Sequence, residues 1–333
     1  MFSVHNRRYT GSKFKLADWI TRLIKEYCVG ESFFEIFAGT SVVSLQLAPQ
    51  MKSIILNDTL EANRIIYEAF YSKGECRLNL LTELKDKFNA ALPPSADDYF
   101  SSNYGNKYFS VADCRKIETI RNMIEVKREN LFPKEYAVLL ASLIYSMDKC
   151  ANTVGHFDAY IHSDCVVDKF TFDLIELLDF PETEFKIYSE DANELAKSVA
   201  ADIVYIDPPY NSRQYCQFYH IYETLVRWDK PELFGIALKP KGRHLSDYCR
   251  SKAPQELADL ISKLKCRYIT VSYNNTYESK SGSSRNKITL EQIKEILNAR
   301  GEVKSFSKTH KFFNAGKTDF ANHKEMLFIA EVK

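Results

Sequence analysis

The chain has 333 residues, with 45 Lys and Arg against 44 Asp and Glu, 45% hydrophobic residues and 13% aromatics. At about 150 residues per domain this implies one large domain or two ordinary ones, and the apolar fraction excludes a mainly disordered chain. The net charge of +1 neither announces nor excludes a polyanionic partner, because a total says nothing of patches.

The first 25 residues hold Arg7, Arg8, Lys13, Lys15, Arg22 and Lys25 against Asp18 alone. No apolar core follows the first basic residues, so no signal peptide is expected. A helix is predicted over Leu16 to Glu26, a short buried strand over Phe33 to Phe37, a second over Ser53 to Asn57, and a helix over Glu61 to Tyr71. From about 71 to 184 the pattern turns mainly helical: Leu78 to Ala91, Val111 to Lys127, Lys134 to Met147 and Asp168 to Leu178, with Pro93-Pro94 breaking the first from the rest. The longest apolar run, Ala137 to Met147, falls short of the ~20 residues of a membrane span. Strands return at Ile203 to Ile206, Tyr268 to Ser272 and Glu325 to Val332, and Thr289 with Gln292 resembles a capping box for a helix over Leu290 to Arg300. Between them, residues 239–252 carry five bases against Asp247 alone, which is more often a solvated face than a ligand surface. Ser279 to Asn286 reads as a flexible loop. Strand–helix alternation argues for an α/β fold with a mostly parallel sheet covered on both faces, interrupted by a helical insertion. The eight cysteines include no C-x-x-C pair, which fits a reducing compartment and no metal site.

Asp207-Pro208-Pro209-Tyr210 follows an apolar strand directly. In open α/β sheets ligands bind beyond the carboxyl ends of strands. Two prolines fix φ near −65° and supply no N–H, so the turn can present a carboxylate, a carbonyl acceptor and an aromatic face to a planar ligand. Two acceptors suit an exocyclic amine; the alternative is a rigid turn with a capping Asp. Phe37-Ala38-Gly39-Thr40-Ser41 also leaves a strand, and its small residues let the backbone approach a ligand at a helix N-terminus. A single Gly39 in place of G-x-G-x-x-G disfavours pyrophosphate. Asp58, ending the next strand, is placed either for ribose hydroxyls or as the N-cap of the helix at Glu61.

In this order these residues resemble the Dam-like class of S-adenosylmethionine-dependent N6-adenine DNA methyltransferases, including those of type II and type IIS restriction systems. Arg8-Tyr9-Thr10-Gly11-Ser12-Lys13 is similar to the N-terminal motif in which a Tyr and a G-S-K turn meet the methionine end of the cofactor. The segment Phe37 to Ser41 is similar to the cofactor loop, with Ser41 where the family usually has a second Gly. Asp58 resembles the ribose-binding acid, and Asp191-Ala192 the segment that holds the cofactor's adenine. Asp207 to Tyr210 resembles the catalytic motif, with Asp207 also at the cofactor, and Asn211 to Tyr215 its usual extension. Val271 to Asn275 and the closing pair of strands, with His323 to Phe328, complete the likeness.

The resemblance implies a Rossmann-like methyltransferase fold with a mostly parallel seven-stranded sheet. It also implies a catalytic domain over 1–70 and 185–333 and a helical target-recognition insert over 71–184. The implied cofactor is S-adenosylmethionine, with no metal. The implied partner is double-stranded DNA, with a cognate restriction endonuclease acting independently, in the cytoplasm and with no membrane. Asp207 and the Pro208 carbonyl would accept both N–H groups of a flipped adenine amine, favouring an sp³-like nitrogen, and Tyr210 would stack on the base. Cytosine-N4 enzymes typically have Ser, and glutamine methylases Asn, where Asp207 stands.

Expected DNA contacts are Arg213, Lys241, Arg243, Asn274, Asn275 and Arg285, with plain solvated surface the alternative at Lys241, Arg243 and the Ser279 to Asn286 loop. His156 either faces DNA or satisfies its turn, the turn being favoured. Phe312-Phe313 either packs in the core or wedges beside a flipped base, and Tyr215, Phe218, Tyr219 and Tyr222 divide between core and base-side wall. Acids at the cofactor and bases in patches would give salt-sensitive DNA binding.

Overall fold

Seven strands hydrogen-bond into one sheet in the computed structural model, which describes residues 1–162, 165–242, 245–275, 285–309 and 323–333. In chain order the elements begin α1 (Ala17–Tyr27), β1 (Ser32–Glu35), α2 (Val42–Leu47), β2 (Ser53–Asn57), α3 (Glu61–Tyr71), α4 (Leu78–Ala90), α5 (Tyr99–Tyr104), α6 (Val111–Val126) and α7 (Pro133–Cys150). They continue with β3 (Glu184–Tyr188), α8 (Ala192–Leu195), β4 (Ile203–Ile206), α9 (Tyr215–Phe218), α10 (His220–Arg227), β5 (Leu233–Phe234) and β6 (Lys239–Pro240). The last are α11 (Ala253–Lys263), β7 (Tyr268–Asn274), α12 (Leu290–Asn298), β8 (Gly301–Thr309) and β9 (Lys324–Val332). Two compact units emerge: residues 13–59, 180–215 and 244–333 form one, and 1–12, 60–179 and 216–243 the other. The helical unit thus takes in more of the chain than the 71–184 segment.

The first unit holds the sheet, in the order β3-β2-β1-β4-β7-β9-β8. The five strands from β3 to β7 run parallel, and β9 is antiparallel to both β7 and β8. This is the mostly parallel α/β sheet expected from the alternation. Successive side chains on a strand face opposite ways. Phe34, Val204, Ile206, Ile269, Val271 and Phe328 pack with α8, α11 and α12 through Leu195, Leu257, Leu260 and Ile293. The alternate positions Phe33, Glu35, Tyr205, Ser272 and Glu325 are also buried, as parallel strands covered on both faces require. Burying a Leu or Phe contributes about 1.5–3 kcal/mol, so the apolar runs of β1, β4 and β7 drive this unit.

The second unit is built on α7, which is buried nearly all round. Pro133 opens α7, and the Glu135 carboxylate accepts the Phe132 N–H at 2.9 Å. The N-terminus of α3 is satisfied from α10, where Glu223 accepts the Ala62 N–H at 2.8 Å. One expected helix is absent: residues 168–178 form no helix and carry an isolated bridge from Ile175 to Phe2. The side chains of Asp113 and Asn89 take the N–H groups of Lys169, Phe170 and Phe172, and Ser142 Oγ takes that of Ile175. Phe2 pairs with this segment, donating to Leu174 and accepting from Glu176. Partners outside the segment replace the i→i−4 ladder, so the local helical pattern loses. Arg243, residues 279–284 of the serine-rich loop, and Phe312-Phe313 lie outside the described residues.

Candidate active site

The sheet order reverses between β1 and β4: β1 leads to β2 and β3, whereas β4 leads to β7. Ligands in open α/β sheets bind at such a switch point, beyond the carboxyl ends of the strands. The segment Ile36 to Ser41 leaves β1 there and Asp207 leaves β4.

Asn57 organises the first loop. Its side-chain N–H groups donate to Ile36 O and Glu190 O, both at 3.1 Å, and its oxygen accepts the Glu190 N–H at 3.0 Å. The ends of β1, β2 and β3 are thereby tied together. Asp58 accepts the Gly39 N–H at 3.0 Å. The N-cap position of α3 is Leu60, and Glu223 accepts the Ala62 N–H in its first turn. Gly39 sits at φ 51° and Ser41 at φ 54°, both in the left-handed region. A glycine costs nothing there, whereas a serine is strained by about 1–2 kcal/mol. Ser41 is fully buried and donates its hydroxyl to Thr40 O at 2.7 Å. Phe37 packs edge-on against Tyr248, with ring centroids 5.0 Å apart.

At the end of β4 a buried charge cluster forms. Lys13 Nζ lies 2.8 Å from Asp207 Oδ2 and 3.6 Å from Glu325 Oε1. The Tyr210 hydroxyl lies 2.6 Å from Asp207 Oδ1 and 2.7 Å from Glu325 Oε1. Lys13 also stands 4.9 Å from the Tyr210 ring centroid, and Tyr273 packs on that ring at 4.4 Å. The turn is held from behind: Tyr210 O accepts from Lys287 N at 2.8 Å and from the Tyr273 hydroxyl at 3.2 Å. Burial opposes the Lys13 charge, yet Asp207 and Glu325 hold its pKa above the ordinary value. Burial pushes the Glu325 carboxyl up, opposed by Lys13 and reinforced by Asp207. Glu35, at the end of β1, is pushed up to about 8 by burial, although Ser44 donates to it from its backbone N–H and its hydroxyl.

The expected site residues distribute as follows. Lys13, Asp207 and Tyr210 meet directly, as do Gly39 and Asp58. Pro208 and Pro209 hold the turn between Asp207 and Tyr210. Asp191 caps α8, accepting the N–H groups of Asn193 and Glu194 at 2.9 and 3.1 Å, and Ala192 is buried in the core. Tyr9 belongs to the helical unit, where it stacks on Tyr219 with centroids 4.6 Å apart and planes at 7°. Arg213 and Arg285 are exposed. Asn274 accepts from Asn286, and Asn275 ties β7 to β9 by accepting the Lys324 N–H at 2.8 Å. Lys241, in the helical unit, places its ammonium 3.7 Å from the Phe234 centroid. His156 accepts the Asp158 N–H at 3.2 Å and stacks on Phe218, so it does serve its own turn.

Glu325, Glu35 and the Asn57 side chain were not among the expected site residues. Each acid adjoins an apolar run, Glu35 after Phe33-Phe34 and Glu325 before Met326-Leu327-Phe328, and a charge buried there needs a partner. Among the described residues no helix is long and apolar enough to cross a membrane, and no group of three or more His, Cys, Asp or Glu could hold a metal ion.

Residues 9–296 match the family described as D12 class N6 adenine-specific DNA methyltransferase. The chain is 30% identical over 296 residues to modification methylase LlaI of Lactococcus lactis subsp. lactis, covering 80% of this chain and 46% of that protein. It is 33% identical over 298 residues to modification methylase StsI of Streptococcus sanguinis, covering 80% and 44%. It therefore spans a little under half the length of these two relatives. Against the type II methyltransferase M.NlaIII of Neisseria lactamica identity is 29% over 339 residues, with 95% of both chains covered. An Asp-Pro-Pro-Tyr turn at the switch point, together with a match that begins at Tyr9 and runs past Asn275, places this chain in the D12 class N6 adenine-specific DNA methyltransferase family.

Proposed function

We propose that the protein methylates the N6 amino group of a flipped adenine at a specific site in duplex DNA, using S-adenosylmethionine. We place it as the modification enzyme of a restriction system or as an orphan methylase. The observation that carries this reading is the placement of Asp207 to Tyr210 at the switch point, with the Asp207 carboxylate held by Lys13 at 2.8 Å.

The residues present suit a sulfonium nucleoside. Gly39 has no side chain where the backbone is left-handed, so a ligand can approach closely, and Asp58 beside it suits ribose hydroxyls. Phe37, Ala38, Thr40, Ser41, Asp191 and Ala192 would complete the cofactor pocket, with Lys13 at its methionine end. When bound, the cofactor supplies an electrophilic methyl group. The chain's own contribution is positioning. Asp207 and the Pro208 carbonyl accept the two amine N–H groups, which draws the nitrogen lone pair out of the ring. Pro208 and Pro209 keep both acceptors rigid, and Tyr210 supplies a ring for the base. Extruding the adenine costs a few kcal/mol, which these contacts offset.

Arg213, Lys241, Arg243, Asn274, Asn275 and Arg285 are proposed DNA contacts, and the helical unit the target-recognition part. A cognate restriction endonuclease would act independently on the same sequence, in the cytoplasm. Incubation with plasmid DNA and methyl-labelled S-adenosylmethionine, followed by digestion to nucleosides, tests the reading. Label should appear in N6-methyl-2′-deoxyadenosine; label in another nucleoside, or none, overturns it.

A further inference from the structure

A tyrosine hydroxyl carries one hydrogen, and at Tyr210 two carboxyl oxygens converge on it, Asp207 Oδ1 at 2.6 Å and Glu325 Oε1 at 2.7 Å. If both acids were ionised, one of these short contacts would set two oxygen lone pairs against each other. The conflict ends when one acid keeps a proton and donates it to the hydroxyl. Lys13 selects which: its ammonium is 2.8 Å from Asp207 but 3.6 Å from Glu325, so Glu325, with the more distant cation, is the acid that keeps the proton. We propose that Glu325 is a positioning residue for Asp207, holding a proton that it donates to the Tyr210 hydroxyl so that the hydroxyl hydrogen points to Asp207 Oδ1.

Asp207 is then oriented through both oxygens, by Tyr210 and by Lys13, and each oxygen retains a lone pair for the adenine amine. Among the described residues, the charged and titratable groups that face Glu325 are Lys13, Asp207, Tyr210 and Tyr205 of β4; Glu35 acts on Asp207 from β1. Asn274 of β7 and Lys308 of β8 stand opposite Glu325 in register. Burial favours the protonated form, and Lys13 opposes it.

The consequence for methyl transfer rests on the function proposed above, whereas the proton's location does not. Two measurements therefore separate them. Infrared difference spectra of wild type against E325Q at neutral pH should show the carbonyl band of one protonated carboxyl lost in the variant; Glu35 contributes equally to both proteins and cancels. Identical spectra overturn the proposal even if methyl transfer is intact. In kinetics, E325A should lower kcat about 100-fold with little change in KM for S-adenosylmethionine, and E325Q should restore kcat to within about threefold of wild type. The wild-type rate should fall on the alkaline side as Glu325 ionises, a limb that E325Q lacks. An E325Q enzyme as slow as E325A would mean that the charged carboxylate is required, which sinks the assignment. Wild-type protein that shows the band but methylates no adenine would refute the function and leave Glu325 as assigned.

Discussion

Lys13 and Asp207 form an ion pair at 2.8 Å with side chains only 8% and 16% exposed, joining the first turn of the sheet unit to the end of β4. Breaking a buried pair from one side typically costs about 3–5 kcal/mol, because the remaining charge is left without its partner. Replacing Lys13 by Met should therefore lower unfolding free energy by about 3 kcal/mol, and a urea titration measures it. Turnover should also fall at least tenfold, since Asp207 loses one of its two donors. A K13M protein as stable and as fast as wild type would show that the pair is incidental.

Asp207 itself makes the sharper kinetic case. As an acceptor for the adenine amine, it acts on the reacting nitrogen more than on the bound cofactor. D207A should lower kcat at least about 100-fold, the order seen when one transition-state hydrogen bond is deleted. The S-adenosylmethionine Kd from calorimetry should stay within about threefold of wild type, because other residues carry that binding. D207N, which keeps the shape, controls for any loss of fold. Full activity in D207A excludes the positioning mechanism.

Ser41 holds a left-handed backbone, φ 54° and ψ 23°, immediately before α2. A serine there is strained by about 1–2 kcal/mol, which glycine lacks, although glycine also gains entropy in the unfolded chain. S41G should be stabilised by about 0.5–1 kcal/mol net, seen as a higher urea midpoint at unchanged m-value. A destabilised S41G would mean that the Ser41 hydroxyl bond to Thr40 O outweighs the strain.

Lys241 sits near the β5–β6 pair with its ammonium over Phe234. If it meets a DNA phosphate, K241A should weaken binding to all sequences alike and reduce the slope of log K against log salt by about one. An unchanged slope returns Lys241 to the solvated surface.

The parts of the fold legible in sequence are those whose residues answer to local rules. β1, β2, β4 and β7 are short apolar runs because both faces are buried, and Thr289 with Gln292 does make the capping box that opens α12. β3 is harder to see, since Glu184 to Tyr188 alternates at a sheet edge and is half solvated. Residues 168–178 misread as helix because their backbone partners, Asp113, Asn89, Ser142 and Phe2, lie far away in sequence. At the site, Asp207 to Tyr210 announces itself by its own chemistry. Glu325 gains meaning only from β9 standing beside β7, which brings it to Tyr210 across 115 residues.

Glu35 gives the last prediction, from proton linkage. Its carboxyl is raised from 4.5 to about 8 by burial in the folded protein, opposed by the Ser44 bonds. Below pH 4.5 both folded and unfolded chains hold this proton, and the group contributes no pH dependence. Between 4.5 and about 8 the unfolded chain releases it while the folded chain keeps it, so unfolding becomes easier as pH rises. The slope from this one group approaches about 1.4 kcal/mol per pH unit, and it vanishes above the folded value, where both states are ionised. E35Q keeps an acceptor for Ser44 but cannot titrate. Urea denaturation of both proteins from pH 4 to 9 should show the E35Q stability advantage growing through that window and then levelling. Parallel pH profiles for the two would place Glu35 in the ionised state throughout, with Lys13 and Ser44 prevailing over burial.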